Sequence, residues 1–390
     1  MTRQRASVAC LALLLMVARQ QQPPLAAAHG SNDSALPAHL AATGLFANAD
    51  TRVIAAGNRP FSPQYPLWTD GAAKRRWIHL PAGTTIDASN PRQWEFPVGT
   101  RLWKEFRFAG RLAETRFLWK ASDAGWLAGS YMWNKEGTDA VLAGSDGVPG
   151  AMEIAPGRQH NIPSRNDCAA CHGEARRPLG FNPLQLSDDR DPNAIHGEPL
   201  AEEMVTLRTL LDEGLLTGAD PALRRTPPRI VADDPGTRAV LGYMAGNCGA
   251  CHNGDGQIAA ELPSFAYPDV VDGLAIVRQM IGQRSRWQAP GKADGTLLID
   301  PASPEASAVL LRMSSRRPSS QMPPLGTVLQ DREAMEVIRR WIVERGHTSR
   351  ERNVNSQPPT SNSQRFSDDR PGIPWVGSWR LGVDMSLSQV

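Results

Sequence analysis

Cys168-Ala-Ala-Cys171-His172 and Cys248-Gly-Ala-Cys251-His252 are the two stretches on which the reading of this 390-residue chain turns. Each is a CxxC pair with a histidine directly behind it, the pattern of covalent haem c attachment. Two intervening residues put both sulfurs on one side of a single turn, in reach of the two vinyl groups of one porphyrin. The adjacent histidine then offers its imidazole to the iron as the proximal ligand. A zinc site built from the two pairs is the weaker reading. The pairs stand 80 residues apart and each carries a histidine at the same place, although histidine is only 8 of 390 residues. A thioredoxin-like redox pair would need a βαβ pattern around the motif, and neither motif has one. The residues therefore predict two covalently bound haem c groups. Cys168, Cys171, Cys248 and Cys251 are the attachment sulfurs, and His172 and His252 are the iron ligands.

Working outward from the second motif, residues 235–247 predict a short helix leading into Cys248, with Val240, Leu241 and Met244 on one face. Gly242 and Gly246 leave room for another helix to approach. Downstream, 331–344 is the clearest helical pattern in the chain. Asp331 is the N-cap, and Ala334, Ile338, Trp341 and Ile342 share a face. Between them lies Met322-Pro-Pro-Leu-Gly326, a stiff loop 70 residues after His252 that can hold a thioether on the open side of the iron. Leading helix, CxxCH, loop and closing amphipathic helix make the plan of a class I cytochrome c domain over 235–347, with Met322 as distal ligand.

The first motif, in a haem unit over 161–234, is followed by no Met-Pro loop. Met152, His160, His196, Met204 and Met244 stand open as distal candidates, as does an iron with no sixth ligand. Residues 200–211 read as a helix with Met204 in its core.

Residues 61–160 differ in composition. They carry Trp68, Trp77, Trp94, Trp103, Trp119, Trp126 and Trp133, seven of the eleven tryptophans. Runs such as Lys74-Arg-Arg-Trp-Ile-His-Leu80, Arg101-Leu-Trp-Lys-Glu-Phe-Arg-Phe108 and Glu114-Thr-Arg-Phe-Leu-Trp-Lys120 approximate period-two alternation, with Ala109-Gly110 among the turn signals between them. They predict an all-β sandwich or barrel-like domain with one buried face, its tryptophans packed in the core. Lys74-Arg75-Arg76 reads as a solvated strand edge, ahead of steering of an acidic partner or contact with haem propionates. The expected fold class is thus multidomain, an all-β domain followed by mainly α cytochrome c-type domains.

The chain ends read as accessory. Arg3 and Arg5 precede an apolar run from Val8 to Val17, and small residues follow near Ala28, the order of a cleaved secretory signal over 1–28. Cleavage there removes Cys10 and leaves four cysteines, which fits haem c attachment outside the bacterial cytoplasm. Residues 29–60 read as a leader. Residues 348–390, where Trp375 and Trp379 are the large apolar side chains, read as a flexible tail. No apolar stretch reaches the roughly 18 to 20 residues of a membrane-spanning helix. Lysine plus arginine number 42 against 40 acidic residues, a balance that argues against nucleic acid as a partner.

Several blocks together resemble a known family. They are Tyr65-Pro-Leu-Trp-Thr-Asp-Gly-Ala-Ala-Lys-Arg-Arg-Trp77, Phe96-Pro-Val-Gly-Thr-Arg-Leu-Trp103, Ile162-Pro-Ser-Arg-Asn-Asp-Cys-Ala-Ala-Cys-His172, Leu179-Gly-Phe-Asn182, Asn247-Cys-Gly-Ala-Cys-His252 and Met322-Pro-Pro-Leu-Gly326. This combination, spread over residues 60 to 345, resembles exported dihaem c-type cytochromes of uncharacterised role. The resemblance implies electron transfer in the periplasm with a redox protein as donor or acceptor, and leaves substrate and oligomeric state open. It also implies the six Cys and His residues as haem residues and Met322 as a ligand. A haem enzyme, peroxidase- or oxidase-like with an open first iron, is the alternative. An electron carrier is favoured because the second haem has a full ligand set and no acid–base or nucleophile constellation is present.

Overall fold

Alternating apolar and polar residues build most of the first half of the chain into strands. A computed structural model describes residues 36–48, 52–123, 125–172, 178–255, 262–291 and 295–355, with side chains to residue 347. The expected signal segment and nearly all of the expected tail lie outside the described residues. The strands are β1 (Phe46–Asn48), β2 (Val53–Ile54), β3 (Arg59–Pro60), β4 (Ala73–His79), β5 (Ile86–Asp87) and β6 (Arg101–Phe108). They continue with β7 (Arg111–Ser122), β8 (Gly125–Trp133), β9 (Ala140–Leu142), β10 (Val148–Ala155), β11 (Arg158–Ile162) and, after two helices, β12 (Leu216–Thr217). Six of them form one antiparallel sheet in the order β3-β4-β6-β7-β8-β9. The turn between β6 and β7 is the predicted Ala109-Gly110, both at positive φ (46° and 80°), the two-residue loop whose twist suits a hairpin.

The helices are short until the last. They are α1 (Arg165–His172), α2 (Leu207–Asp212), α3 (Pro235–Asn247), α4 (Gly273–Met280), α5 (Ala308–Ser314) and α6 (Arg332–Asn355). The chain divides into two units, Met1–Arg345 and Gly346–Val390. The described part of the second is the end of α6. Among the described residues no helix is long and apolar enough to cross a membrane.

The expected fold class is overturned. Helix and strand each occupy 24%, and the β region is a six-stranded antiparallel sheet with three two-stranded sheets (β1-β2, β10-β11 and the parallel β5-β12), not a sandwich or barrel followed by mainly α cytochrome domains. The physical reason lies in how the sheet is covered. The expectation of a single buried face required two sheets to close on each other. Instead both faces of one sheet are packed. On one, Trp77, Trp103, Phe117, Tyr131 and Trp133 bury against Leu36, Leu40 and Leu45. On the other, Ile78, Leu102 and Trp126 pack with Phe96, Phe181 and the α2 residues Leu207 and Leu210. The segment after the first CxxCH motif is therefore a cover for the sheet.

A third apolar cluster joins α3, α4, α5 and α6, including Val240, Leu241, Met244, Ile276, Leu310, Ile338, Trp341 and Ile342. Thr237 ties α3 to α6 by accepting a hydrogen bond from Trp341 Nε1 at 2.9 Å. The expected Asp331 cap is present, and α3 has one the sequence reading did not name. Asp234 accepts from the Thr237 backbone at the start of α3, and Asp331 from Ala334 at the start of α6. Two local expectations change. Gly242 and Gly246 admit Tyr65, not a helix: a Cβ on Gly242 would lie 2.0 Å from Tyr65 Cε1, and one on Gly246 would lie 2.3 Å from the Tyr65 carbonyl. The helix expected over 200–211 begins only at Leu207. There Thr206 and Thr209 form a capping box, while the Val205 N–H is engaged by the Pro60 carbonyl of the sheet edge.

Candidate functional site

The first motif is built by local capping. The Asp167 carboxylate accepts from both the backbone N–H and the hydroxyl of Ser164 (2.9 and 2.8 Å), and the Asp167 N–H donates back to Ser164 Oγ at 3.1 Å. This reciprocal arrangement satisfies donors that a helix start leaves open. Residues three and four apart on a helix share a face. Cys168, Cys171 and His172, all on α1, therefore stand on one side of a single turn, half-buried. Met152 and His160 pair across the β10–β11 hairpin, and His160 is buried with its Nε2 3.1 Å from Glu114 Oε1.

The second motif grows from the core. Helix α3 ends at Asn247, with Cys248 as its C-cap. The next turn closes on the Cys248 carbonyl, which accepts from the N–H groups of Cys251 (3.1 Å) and His252 (2.8 Å). His252 is buried, its carbonyl accepting from Phe265 and its ring 6.4 Å from the Phe265 ring. Burial pushes the Cys248 thiol up to about 12.

The fold brings the two motifs together. The Cys171 and Cys251 side chains are close enough to act on each other: interaction with Cys251, with burial, holds the Cys171 thiol well above its ordinary range, and interaction with Cys171 draws Cys251 down to about 7. All four motif cysteines are thiols, with no disulfide among them. Among the described residues no group of three His, Cys, Asp or Glu side chains is arranged to hold a metal ion. A haem iron takes its four equatorial nitrogens from the porphyrin and asks the protein for one or two axial donors. At each motif the imidazole could serve as such a donor, and the two thiols on the same turn could form the thioether links that hold the porphyrin.

Met322 is held separately. Its backbone N–H donates to the Arg312 carbonyl at 3.0 Å and its side chain is half-buried. The Asp70 carboxylate fastens the end of the loop by accepting from Val328 and Leu329 (2.9 and 2.8 Å). Of the other distal candidates, His196 Nε2 lies 2.9 Å from an Asp331 oxygen, Met244 is in the α3–α6 core, and Met204 is half-buried in the turn before α2.

One constellation escaped the sequence reading. Across four neighbouring strands Arg76, Lys104, Arg116 and Ser130 stand directly opposite one another, so their side chains share a sheet face. Lys74, Phe106 and Glu114 are their neighbours on that face. Arg76, far from being a solvated edge residue, is 6% exposed and pairs with Glu198 at 2.6 Å. Burial, then Arg76, pushes Lys74 down to about 7, and the same causes hold Lys104 well below its ordinary range. Burial would raise Glu114, but Arg116 and His160 hold it at about 2. The signal available was parity: Lys74 and Arg76 point one way while Arg75 and Trp77 point the other.

Comparison with protein-family models, with curated proteins and with solved structures finds no match.

Proposed function

We propose that this chain is an exported dihaem c-type cytochrome that passes single electrons between redox partner proteins in the periplasm. The observation that carries the proposal is the pair of CxxCH turns, each with two thiols and an imidazole, folded so that Cys171 and Cys251 are near enough to act on each other. When bound, haem c supplies one-electron Fe(III)/Fe(II) chemistry. Cys168 and Cys171 would hold one group and Cys248 and Cys251 the other, with His172 and His252 as proximal donors and Met322 as a distal thioether. The proximity of the motifs supports passage of charge from one centre to the other within a single chain. The buried setting of His252, under Phe265 and at the end of α3, keeps its ring orientation set by packing and limits water at that side.

The test is an absorption spectrum of the reduced, matured protein with and without carbon monoxide. Stoichiometric one-electron reduction of two low-spin centres, unchanged by carbon monoxide, is expected of a carrier. Rapid binding of carbon monoxide at one centre together with peroxide turnover would replace the carrier by a haem enzyme.

A further inference from the structure

We infer that the cation row on the inner face of the six-stranded sheet receives a pair of carboxylates, the propionates of the porphyrin attached at Cys168 and Cys171. The inference rests on the function proposed above and adds a binding site to it. Like charges directly opposite one another on neighbouring strands are destabilising, yet Arg76, Lys104 and Arg116 occupy three successive strands in register. Lys104 and Arg116, together with Lys74, crowd one buried ring. Arg116 Cζ lies 4.4 Å, Lys104 Nζ 5.1 Å and Lys74 Nζ 5.8 Å from the centre of Phe106, which is 0% exposed.

The carboxylates already present do not balance this charge. Glu198 is taken by Arg76 and by the Ser62 hydroxyl at 2.6 Å. Glu114 is taken by Arg116 at 2.6 Å and by His160. Among the described residues neither Lys74 nor Lys104 forms an ion pair. Lys74 and Lys104 are thus left without a paired counter-charge, Asp70 acting on Lys74 only at a distance, and a pair of propionates would supply one. Cations removed from water without a counter-charge are costly, so the arrangement calls for an anion.

Two further observations give the anion its place. Ser130, which continues the row, is 6% exposed and its hydroxyl, a donor that an anion could accept from, has no hydrogen-bond partner. Helix α1 packs on β8, the strand that carries Ser130, and Arg116 lies within electrostatic reach of the Cys168 and Cys171 side chains. The row therefore begins where the first attachment turn lies.

The experiment compares the matured full-length protein with Lys104→Gln and Arg76→Gln variants. Whole-protein mass establishes that both haems are attached, and a spectroelectrochemical titration reads two midpoint potentials. A nearby cation favours the iron state of lower positive charge, so each variant is expected to keep both haems and to lower one midpoint potential while leaving the other in place. Two attached haems with both potentials unmoved would overturn the propionate site and leave the cytochrome reading standing. A wild-type chain without haem would overturn both. A second measurement needs no variant: carbodiimide treatment of the matured wild type, followed by peptide mass analysis. Amide links from Lys74 or Lys104 to the porphyrin of the Cys168–Cys171 peptide support the proposal, and links to protein carboxylates alone overturn it. Calorimetry of the matured wild type with succinate distinguishes the other source of such chemistry. No binding is expected, whereas binding that Lys104→Gln abolishes would assign the row to a free dicarboxylate and overturn the propionate assignment.

Discussion

The two CxxCH segments have the same five-residue pattern and opposite foundations. The second follows a 13-residue helix of which residues Thr237 through Met244 are all buried, clamped by α6 through Trp341 and by Arg345 on Asp233 (2.6 and 2.7 Å). The first ends an eight-residue helix with no buried residue, held by a Ser164–Asp167 cap and laid against the charged end of a sheet. So short a helix is marginal in isolation, and its geometry depends on what it rests on. The difference teaches that one CxxCH turn is positioned by apolar packing and the other by capping and charge. The two should respond to different substitutions.

The largest effect is expected at the clamp. Trp341 is 2% exposed, and Trp341→Ala removes its burial and the bond to Thr237. It should cost roughly 3–5 kcal/mol in denaturant unfolding; a loss below about 1 kcal/mol would mean that α6 does not support the second segment. Next, Gly242→Ala forces a Cβ into the Tyr65 ring. It should cost about 1–3 kcal/mol by overpacking, and an unchanged midpoint would show that Tyr65 yields freely. Ser164→Ala, aimed at the first segment, should cost about 1 kcal/mol. Its signature is faster amide exchange within α1 and unaltered exchange in α3; equal acceleration in both would erase the contrast between the segments.

The smallest effect is a pH slope. Lys74, facing Arg76, Arg116, Glu198 and Asp70, is held at about 7 against an ordinary 10.5, so the unfolded chain binds a proton that the folded chain gives up. Stability of the chain without haem should therefore rise between about pH 7 and pH 10, and Lys74→Met should flatten that rise. Carboxylates seated on the row would keep Lys74 charged, so the matured protein should lack the slope. A slope of the same size in both forms would argue that nothing anionic sits there.

Local features of the fold were readable from residues alone, and long-range ones were not. Alternation located β4, β6 and β7 to within a few residues, and Ala109-Gly110 announced their hairpin. The periodicity of residues 235–247 located α3 and Asp331 marked the start of α6, because caps and periodicity act over a few residues. Which partner covers a sheet face depends on contacts far apart in sequence. The tryptophans therefore signalled a core without revealing that α2 and residues 36–45 cover opposite sides of one sheet. The Lys74-Arg75-Arg76 run misled for a related reason. Three consecutive charges suggest solvent, whereas strand parity sends the middle one out and the outer two inward. Nothing in either CxxCH motif foretold that Cys171 would come near Cys251 across 80 residues.

The most direct test of the central claim is the intact mass of the purified chain after expression with c-type maturation machinery, beside its reduced absorption spectrum. The account predicts the mature polypeptide plus two covalently attached porphyrins, with one lost when Cys168 and Cys171 are both replaced by alanine and the other when Cys248 and Cys251 are. A colourless protein at the bare polypeptide mass would contradict it.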